Sequence, residues 1–367
     1  MQPRRPVPPI RSPLRVGSIG PPRRRFGVPG GRWRLALGAL GVVAILYVIG
    51  LLSSNSHGTK TPIASKVLAA TSTTAVVPTS TVAPPTSVVA TLRAAALPAA
   101  LSRTAATADG STALIFGGRT NQKTSVNQVL RFDPTTSSFA VIGTLSEVLH
   151  DAAGVTAGGK ALLVGGGDAK SSSAVHLVAD AKVTVVGHLP EPRADVQAAA
   201  IGATMYVVGG YDGAHEPITV LASDDGGATF RVVASLLNGN RYGMLVAADK
   251  MLYLIGGEEN GKPVAKILRI DPATGAVAQI GQLPAPLSNA SVFVLDGSVF
   301  VAGGRLGANA TDQILRIDLV SGTASPAGTL PEPVANASAA VIGDTAYLFG
   351  GEAAAARTSV VAITASH

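Results

Sequence analysis

The sequence predicts an all-β fold: a six-bladed β-propeller of four-stranded blades, preceded by a disordered tail, one transmembrane helix and a Ser/Thr/Pro/Ala-rich stalk. Three observations lead there. Six Gly-Gly pairs, at Gly117-Gly118, Gly165-Gly166, Gly209-Gly210, Gly256-Gly257, Gly303-Gly304 and Gly350-Gly351, recur at intervals of 48, 44, 47, 47 and 47 residues. Each pair closes a short apolar run, and each repeat divides into four strand-like runs. Ahead of the array lies an uncharged 18-residue apolar stretch. A fixed period of this length with strand content signals radial or stacked repetition, and local features have to be read inside that frame.

Residues 1–34 mix Pro, Gly and nine Arg with no acid, a composition that cannot bury enough apolar surface to offset the entropy of ordering. The tail is expected to be disordered and cytoplasmic. Residues 35–52, LALGALGVVAILYVIGLL, would rise about 27 Å as a helix, close to the thickness of a hydrocarbon core. Arg23, Arg24, Arg25, Arg32 and Arg34 flank it on one side and SSNSHGT on the other, so the positive-inside rule puts the N-terminus in the cytoplasm and the bulk of the chain outside. A retained signal anchor is expected rather than a cleaved signal peptide, because the leader is long and no A-x-A pattern follows closely. Residues 53–87 are rich in Ser, Thr, Pro, Ala and Val, as a stalk would be.

Residues 88–367 hold the repeats. The first strand of each is small and apolar, as in Ala152 to Ala157 or Ala337 to Gly343, which suits the crowded neighbourhood of a propeller axis. The second strand is a continuous apolar run (ALIF, ALLV, MYVV, LYLI, VFVA, AYLF), as expected for sheets covered on both faces. Gly-Gly follows, where a Cβ would oppose either positive φ or close approach to the next blade. A variable loop leads to the third strand (QVLRFD, KILRID, QILRID) and a turn such as DPATGA to the fourth. The last repeat ends after its third strand, while SVVATLRAAALP before the first repeat resembles a fourth strand. Val88 to Leu92 is therefore expected to pair with the C-terminal strand and close the ring, removing the open edges of a linear solenoid.

Composition narrows the function. The net charge of +7 resides in the tail, since the remainder carries 20 basic and 22 acidic residues. With 4% aromatic residues overall, the basic stripe with stacking rings that nucleic acid requires is missing, and no nucleic-acid partner is expected. The absence of Cys excludes disulfides, thiolate metal sites and cysteine nucleophiles. The six His show no ligand spacing, and there is no P-loop or G-x-S-x-G elbow, so neither metal nor cofactor is expected.

Fourteen residues before the first Gly of each pair stand Arg103, Asp151, Asp195, Tyr242, Asn289 and Asn336, all polar. His150 and Arg241 occupy the preceding position, and Arg193 lies one further back. These positions begin the innermost strands, so ring closure would gather them around the mouth of the central channel. A solvated rim would also be polar. After the Gly-Gly pairs come Arg119, Asp168, Tyr211, Asp212, Glu258, Glu259, Arg305 and Glu352, expected to flank the same face. Their mixed signs suit a peptide or a glycan better than a phosphate-rich polymer, although solvated loops are commonly charged.

The pattern of a strand, Gly-Gly and a charged or aromatic turn, as in MYVVGGYDG at 205–213, resembles the kelch repeat. The resemblance covers about residues 88–367 and implies a six-bladed propeller that binds partners over the face bearing the 4–1 and 2–3 loops. By that resemblance a ligand-contacting role passes to Arg103, Arg193, Arg241 and Asn289. The later Trp of kelch repeats is missing: the only Trp is Trp33, and Phe139, Val183, Phe230, Val277 and Ala324 stand in its places, which implies thinner aromatic packing between blades. Kelch-like copper oxidases need a cysteine that this chain lacks. Ser223 to Phe230, SDDGGATF, resembles the Asp-box hairpin of sialidase-type propellers, a structural turn away from catalysis.

These readings converge on a membrane-tethered, extracytoplasmic, non-enzymatic module that binds a protein or a cell-envelope glycan over its loop face. Two alternatives stand beside it. One is an enzyme resembling kelch-type sugar mutarotases, with a carboxylate and an Arg at the mouth (Asp195 with Arg193, or Glu258 with Arg241); the other is a structural envelope scaffold. A pocket walled by paired carboxylate and Arg would favour the enzyme and a broad shallow patch the binding module.

Overall fold

The computed structural model describes residues 84–366. The tail, the candidate membrane span and nearly all of the stalk lie outside the described residues. Among the described residues no helix is long and apolar enough to cross a membrane.

The propeller begins with β1 (Ser87–Leu101). Blade 1 follows as β2 (Ala105–Asp109), β3 (Thr112–Phe116), β4 (Val126–Asp133) and β5 (Ser138–Leu149), and blade 2 as β6 (Ala153–Ala157), β7 (Lys160–Val164), β8 (Ala174–Ala179) and β9 (Lys182–His188). Blade 3 contains β10 (Ala194–Ile201), β11 (Thr204–Tyr211), β12 (Thr219–Ser223) and β13 (Arg231–Ser235). In blade 4, β14 (Met244–Ala248) and β15 (Met251–Ile255) precede a small hairpin, β16 (Glu258–Glu259) and β17 (Lys262–Pro263), before β18 (Lys266–Ile270) and β19 (Val277–Gln282). Blade 5 repeats that plan with β20 (Ser291–Leu295), β21 (Ser298–Ala302), the hairpin β22 (Arg305–Leu306) and β23 (Asn309–Ala310), then β24 (Gln313–Asp318) and β25 (Thr323–Thr329). Blade 6 comprises β26 (Ser338–Ile342), β27 (Thr345–Phe349) and β28 (Arg357–Ser366), with β1 as its fourth strand.

β1 pairs antiparallel with β28 from Ser87 opposite Ser366 to Leu92 opposite Val361, as the ends of the sequence suggest, and continues irregularly to Leu101 opposite Arg357. The six inner strands, β2, β6, β10, β14, β20 and β26, touch in a closed circle. The paired residues Ser87 and Ser366 therefore lie at the end of blade 6 remote from Leu101 and the Gly350-Gly351 turn.

The continuous apolar character of the second strands follows from wedge packing. Side chains alternate faces along a strand, and here both faces meet a neighbouring blade. On β27, Ala346 and Leu348 pack toward blade 5, whereas Tyr347 and Phe349 pack toward blade 1. On β15, Leu252 and Leu254 face blade 3 while Tyr253 and Ile255 face blade 5. Six apolar clusters result, one at each seam. Aromatic packing is concentrated where the ring closes: Phe132, Phe139, Tyr347 and Phe349 meet across the seam of blades 6 and 1, with Phe132 and Phe349 centroids 5.3 Å apart. The remaining seams are mainly aliphatic, in keeping with the missing Trp.

The Gly-Gly turn carries both of the constraints proposed for it. Gly209 and Gly210 have φ of 70° and 104°, in the region L side chains avoid. A Cβ at Gly209 would run into the carbonyl of Asn240 on the next blade, and the Gly210 N–H donates to that same carbonyl at 2.8 Å. Equivalent bonds run from Gly118 to Leu149, Gly166 to Arg193, Gly257 to Leu287, Gly304 to Val334 and Gly351 to Leu101. Every pair thus staples its blade to the segment of backbone that leads into the next blade. On the opposite face, Asp225 of the Asp-box segment accepts from the Thr229 N–H at 3.0 Å and from the Ser223 hydroxyl at 2.8 Å, fixing the β12–β13 hairpin as a structural turn.

Candidate functional site at the channel mouth

The six polar positions that open the inner strands share one backbone state. Arg103, Asp151, Asp195, Tyr242, Asn289 and Asn336 have φ of 56°, 53°, 55°, 54°, 57° and 55°. This left-handed region is tolerated best by Asn and Asp among non-glycine residues, which explains four of the six identities without any ligand. Arg103 and Tyr242 have no such propensity, so their identities require another reason. The conformation lets the N–H of one blade reach the carbonyl of the previous one: Asn289 donates to Tyr242 (3.0 Å), Asn336 to Asn289 (2.8 Å), Arg103 to Asn336 (2.9 Å) and Asp151 to Arg103 (3.0 Å).

Sheet register places the residues after Gly-Gly against this circle. Arg119 bridges to Ser102, Tyr211 pairs with Ala194, Glu258 bridges to Arg241, Arg305 to Ser288 and Glu352 to Ala335. The side chains then connect across blades. Arg103 Nη1 lies 2.7 Å from Asp151 Oδ2, and Arg241 Nε lies 2.7 Å from Asp195 Oδ2. The Arg241 guanidinium sits 4.5 Å from the Tyr211 ring centroid and 5.0 Å from that of Tyr242, whose hydroxyl accepts from Nη2 at 3.1 Å. Asn289 Nδ2 donates to Asn336 Oδ1 (2.7 Å), and Asn336 Nδ2 to Glu352 Oε1 (2.8 Å), which also receives Arg305 at 2.7 Å.

Inside this circle lies a cavity of about 170 Å³, walled below the polar mouth by small residues such as Ala105, Ala152, Gly154 and Ala337. Asp151 and Asp195 are almost fully buried within it, their side chains 10% and 5% exposed. Burial pushes both carboxyls above the usual range, and each is raised further by a neighbouring negative charge; Asp195 is carried up to about 6 by burial and by Asp151, against the pull of Arg241. Tyr242 is pushed up to about 12 by burial and by the charges of Asp195 and Asp151. His150 is lowered by burial and by Arg103 and Arg119, so it is neutral at pH 7; its Nδ1 lies 2.8 Å from the Ser125 hydroxyl. For Glu352 burial is outweighed by bonds from Arg305, Ser102 and Asn336, and its carboxyl is lowered.

The structure corrects one placement. Arg193 is fully buried and does not reach the mouth. Its Nη1 donates to the carbonyls of Gly209 (3.1 Å) and Thr219 (3.0 Å), and Nη2 meets Glu191 Oε1 at 2.6 Å. It stands two residues before the left-handed position, where the other blades hold Leu101, Leu149, Asn240, Leu287 and Val334. Those side chains turn into the seam, and Asn240 likewise donates to the first Gly carbonyl of its own blade at 2.9 Å. Arg193→Leu should therefore lower stability by about 1–3 kcal/mol, the cost of buried groups losing their partners. Differential scanning fluorimetry would register that loss, and ligand binding at the mouth should not change.

The flanking set divides. Glu352, Arg305 and Tyr211 join the mouth network, and Glu258 accepts from the Ser288 hydroxyl at 3.3 Å. Asp168 receives Ser125 at 2.6 Å, linking it to His150. Arg119, Asp212 and Glu259 serve their own loops instead: Arg119 Nε donates to the Lys123 carbonyl at 3.3 Å, Asp212 accepts the Ala214 and His215 N–H groups, and Glu259 pairs with Lys266 at 2.6 Å. Sequence reasoning missed Ser102, which donates to Glu352 at 2.9 Å, and Ser125. Ser102 occupies the same column as His150 and Arg241, so reading that column in full would have found it.

Comparison with known proteins supports the architecture. No family model matches the chain, and no curated protein matches it. A solved structure described as "Structure of YjhT" superposes with a TM-score of 0.64, covering 74% of this chain and 97% of that one at 15% identity. That likeness concerns the fold. It carries the propeller and leaves the ligand to be argued from the mouth itself.

Proposed function

We propose that the chain is a kelch-type, membrane-tethered propeller that binds a cell-envelope glycan at the mouth of its central channel. The observation that carries this reading is the cavity ringed by Arg103, Asp151, Asp195, Tyr242, Asn289 and Asn336, with Arg241 paired to Asp195 beside it. Paired carboxylates and guanidinium groups with side-chain amides offer donors and acceptors at close spacing, which suits hydroxyl groups, and Tyr211 and Tyr242 supply ring faces. A concave site of this size admits a sugar-sized group and not a flat protein surface. Tethering rests on the uncharged apolar run of residues 35–52 and the Arg residues that precede it.

A second reading has a specific observation in its favour. The mouth is walled by two carboxylate–guanidinium pairs, one of whose acids is pushed up to about 6. General acid–base catalysis on a sugar needs such a group. Asp195 with Arg241 would then replace the pairing of Asp195 with Arg193 considered on sequence grounds.

Glycan-array binding by the full-length protein tests the first reading. An Arg103→Ala/Arg241→Ala variant should bind at least about 10-fold more weakly, since each lost charged hydrogen bond is worth about 1.5–3 kcal/mol. Unchanged binding in that variant would remove the mouth as the site. Anomeric interconversion by the wild-type protein, followed by NMR and abolished in Asp195→Asn, would favour the enzyme.

A further inference from the structure

Asp151 and Asp195 stand at the same structural position on neighbouring blades, both almost buried, both lining the cavity. Each has one guanidinium partner, Arg103 for Asp151 and Arg241 for Asp195, and the two partners lie on the outer sides of the pair, in blades 1 and 4. The acids themselves interact directly with each other. Two like charges in a shared, desolvated place cannot both form cheaply, and such pairs retain one proton well above the ordinary carboxylate range.

We propose that Asp151 and Asp195 act as one proton-sharing acid, so that the mouth changes charge by one unit as that proton comes and goes. The inference rests on the mouth being the ligand site and adds its regulation: at acidic pH the pair carries a single negative charge between Arg103 and Arg241, and a ligand bearing an anionic group is held more strongly there than at neutral pH.

The surrounding charges set the balance. Asp151 is faced by Arg103, by His150 at 3.7 Å and, more distantly, by Glu352. Asp195 is faced by Arg241 and influences Tyr242, which stays protonated throughout the physiological range. Burial, Arg103 and Arg119 lower His150 below its ordinary value, against the pull of Asp168 and Asp195. Glu216 adds a remote negative charge to Arg241, and Asp168 one to His150.

The test is a pH titration of the full-length protein by NMR of labelled Asp carboxyl carbons, in wild type and in Asp151→Asn and Asp195→Asn. Asn is the natural residue at this position in blades 5 and 6, as Asn289 and Asn336, so both variants keep a residue that tolerates the left-handed backbone. In wild type one proton should leave the pair with a midpoint near 6. In Asp151→Asn the remaining acid, relieved of its neighbour, should titrate at least about tenfold more acidic in proton concentration. Two carboxyls titrating independently below pH 4.5 in wild type, or an unmoved midpoint in Asp151→Asn, would overturn the proposal while leaving the mouth as a binding site untouched.

Thermal stability supplies a second readout. A carboxyl raised in the folded state stabilises fully below its unfolded value of 3.8, and that contribution is lost as pH rises through the folded value near 6. The Tm of Asp195→Asn relative to wild type should therefore increase between pH 4 and pH 7. A constant difference over that window would also count against a shared proton.

Discussion

A variant beginning at Ser102 should fail to form a cooperative monomer, whereas one beginning at residue 84 should melt in a single transition. The first 15-residue strand supplies Val88, Leu97 and Leu101 to the seams flanking blade 6 and pairs with β28. Three large side chains at about 1.5–3 kcal/mol each rival the net stability of a domain, about 5–15 kcal/mol. Their loss also strips β28 of its outer partner and exposes a 10-residue edge, a template for pairing with other chains. Size-exclusion chromatography and a thermal melt decide the matter. A monomeric Ser102 variant with an unchanged Tm would mean that closure by β1 contributes little.

Gly209→Ala should destabilise by about 3–5 kcal/mol. Left-handed backbone costs about 1–2 kcal/mol for a residue with a Cβ. The rest comes from displacing the Asn240 carbonyl and the Gly210 hydrogen bond of 2.8 Å that depends on its position. Gly110 provides the control: its φ is 61°, yet nothing lies within 4 Å of the place its Cβ would occupy. Gly110→Ala should therefore show only the conformational cost. Chemical denaturation of both variants measures the difference directly, and equal losses would reduce the Gly-Gly pair to a turn with no stapling role.

Much of the architecture was legible because it is written in local chemistry repeated six times. An apolar run such as MYVV or LYLI has a wedge neighbour on each side, and the Gly-Gly after it has both positive φ and no room for a Cβ; each repeat states this again. The terminal fourth-strand pattern at Val88 to Leu92 was likewise visible as a fragment lacking its own blade. The mouth was legible in part. Counting back from Gly-Gly found the six positions that share a left-handed backbone, but not the reason that Asp and Asn recur there.

Side-chain direction was beyond the sequence. Arg193 and Asp195 are two residues apart, yet one side chain turns inward onto Gly209, Thr219 and Glu191 and the other lines the cavity. Arg119 and Glu352 occupy the same place after Gly-Gly, but only Glu352 meets Arg305, Asn336 and Ser102 together. Strand periodicity and glycine sterics act over a few residues, so the number of blades, the strands within them and the strand that shuts the ring can be read along the chain. Which charges meet at the mouth depends on ring closure, because those pairs join blades about 47 residues apart and exist only once the circle has formed.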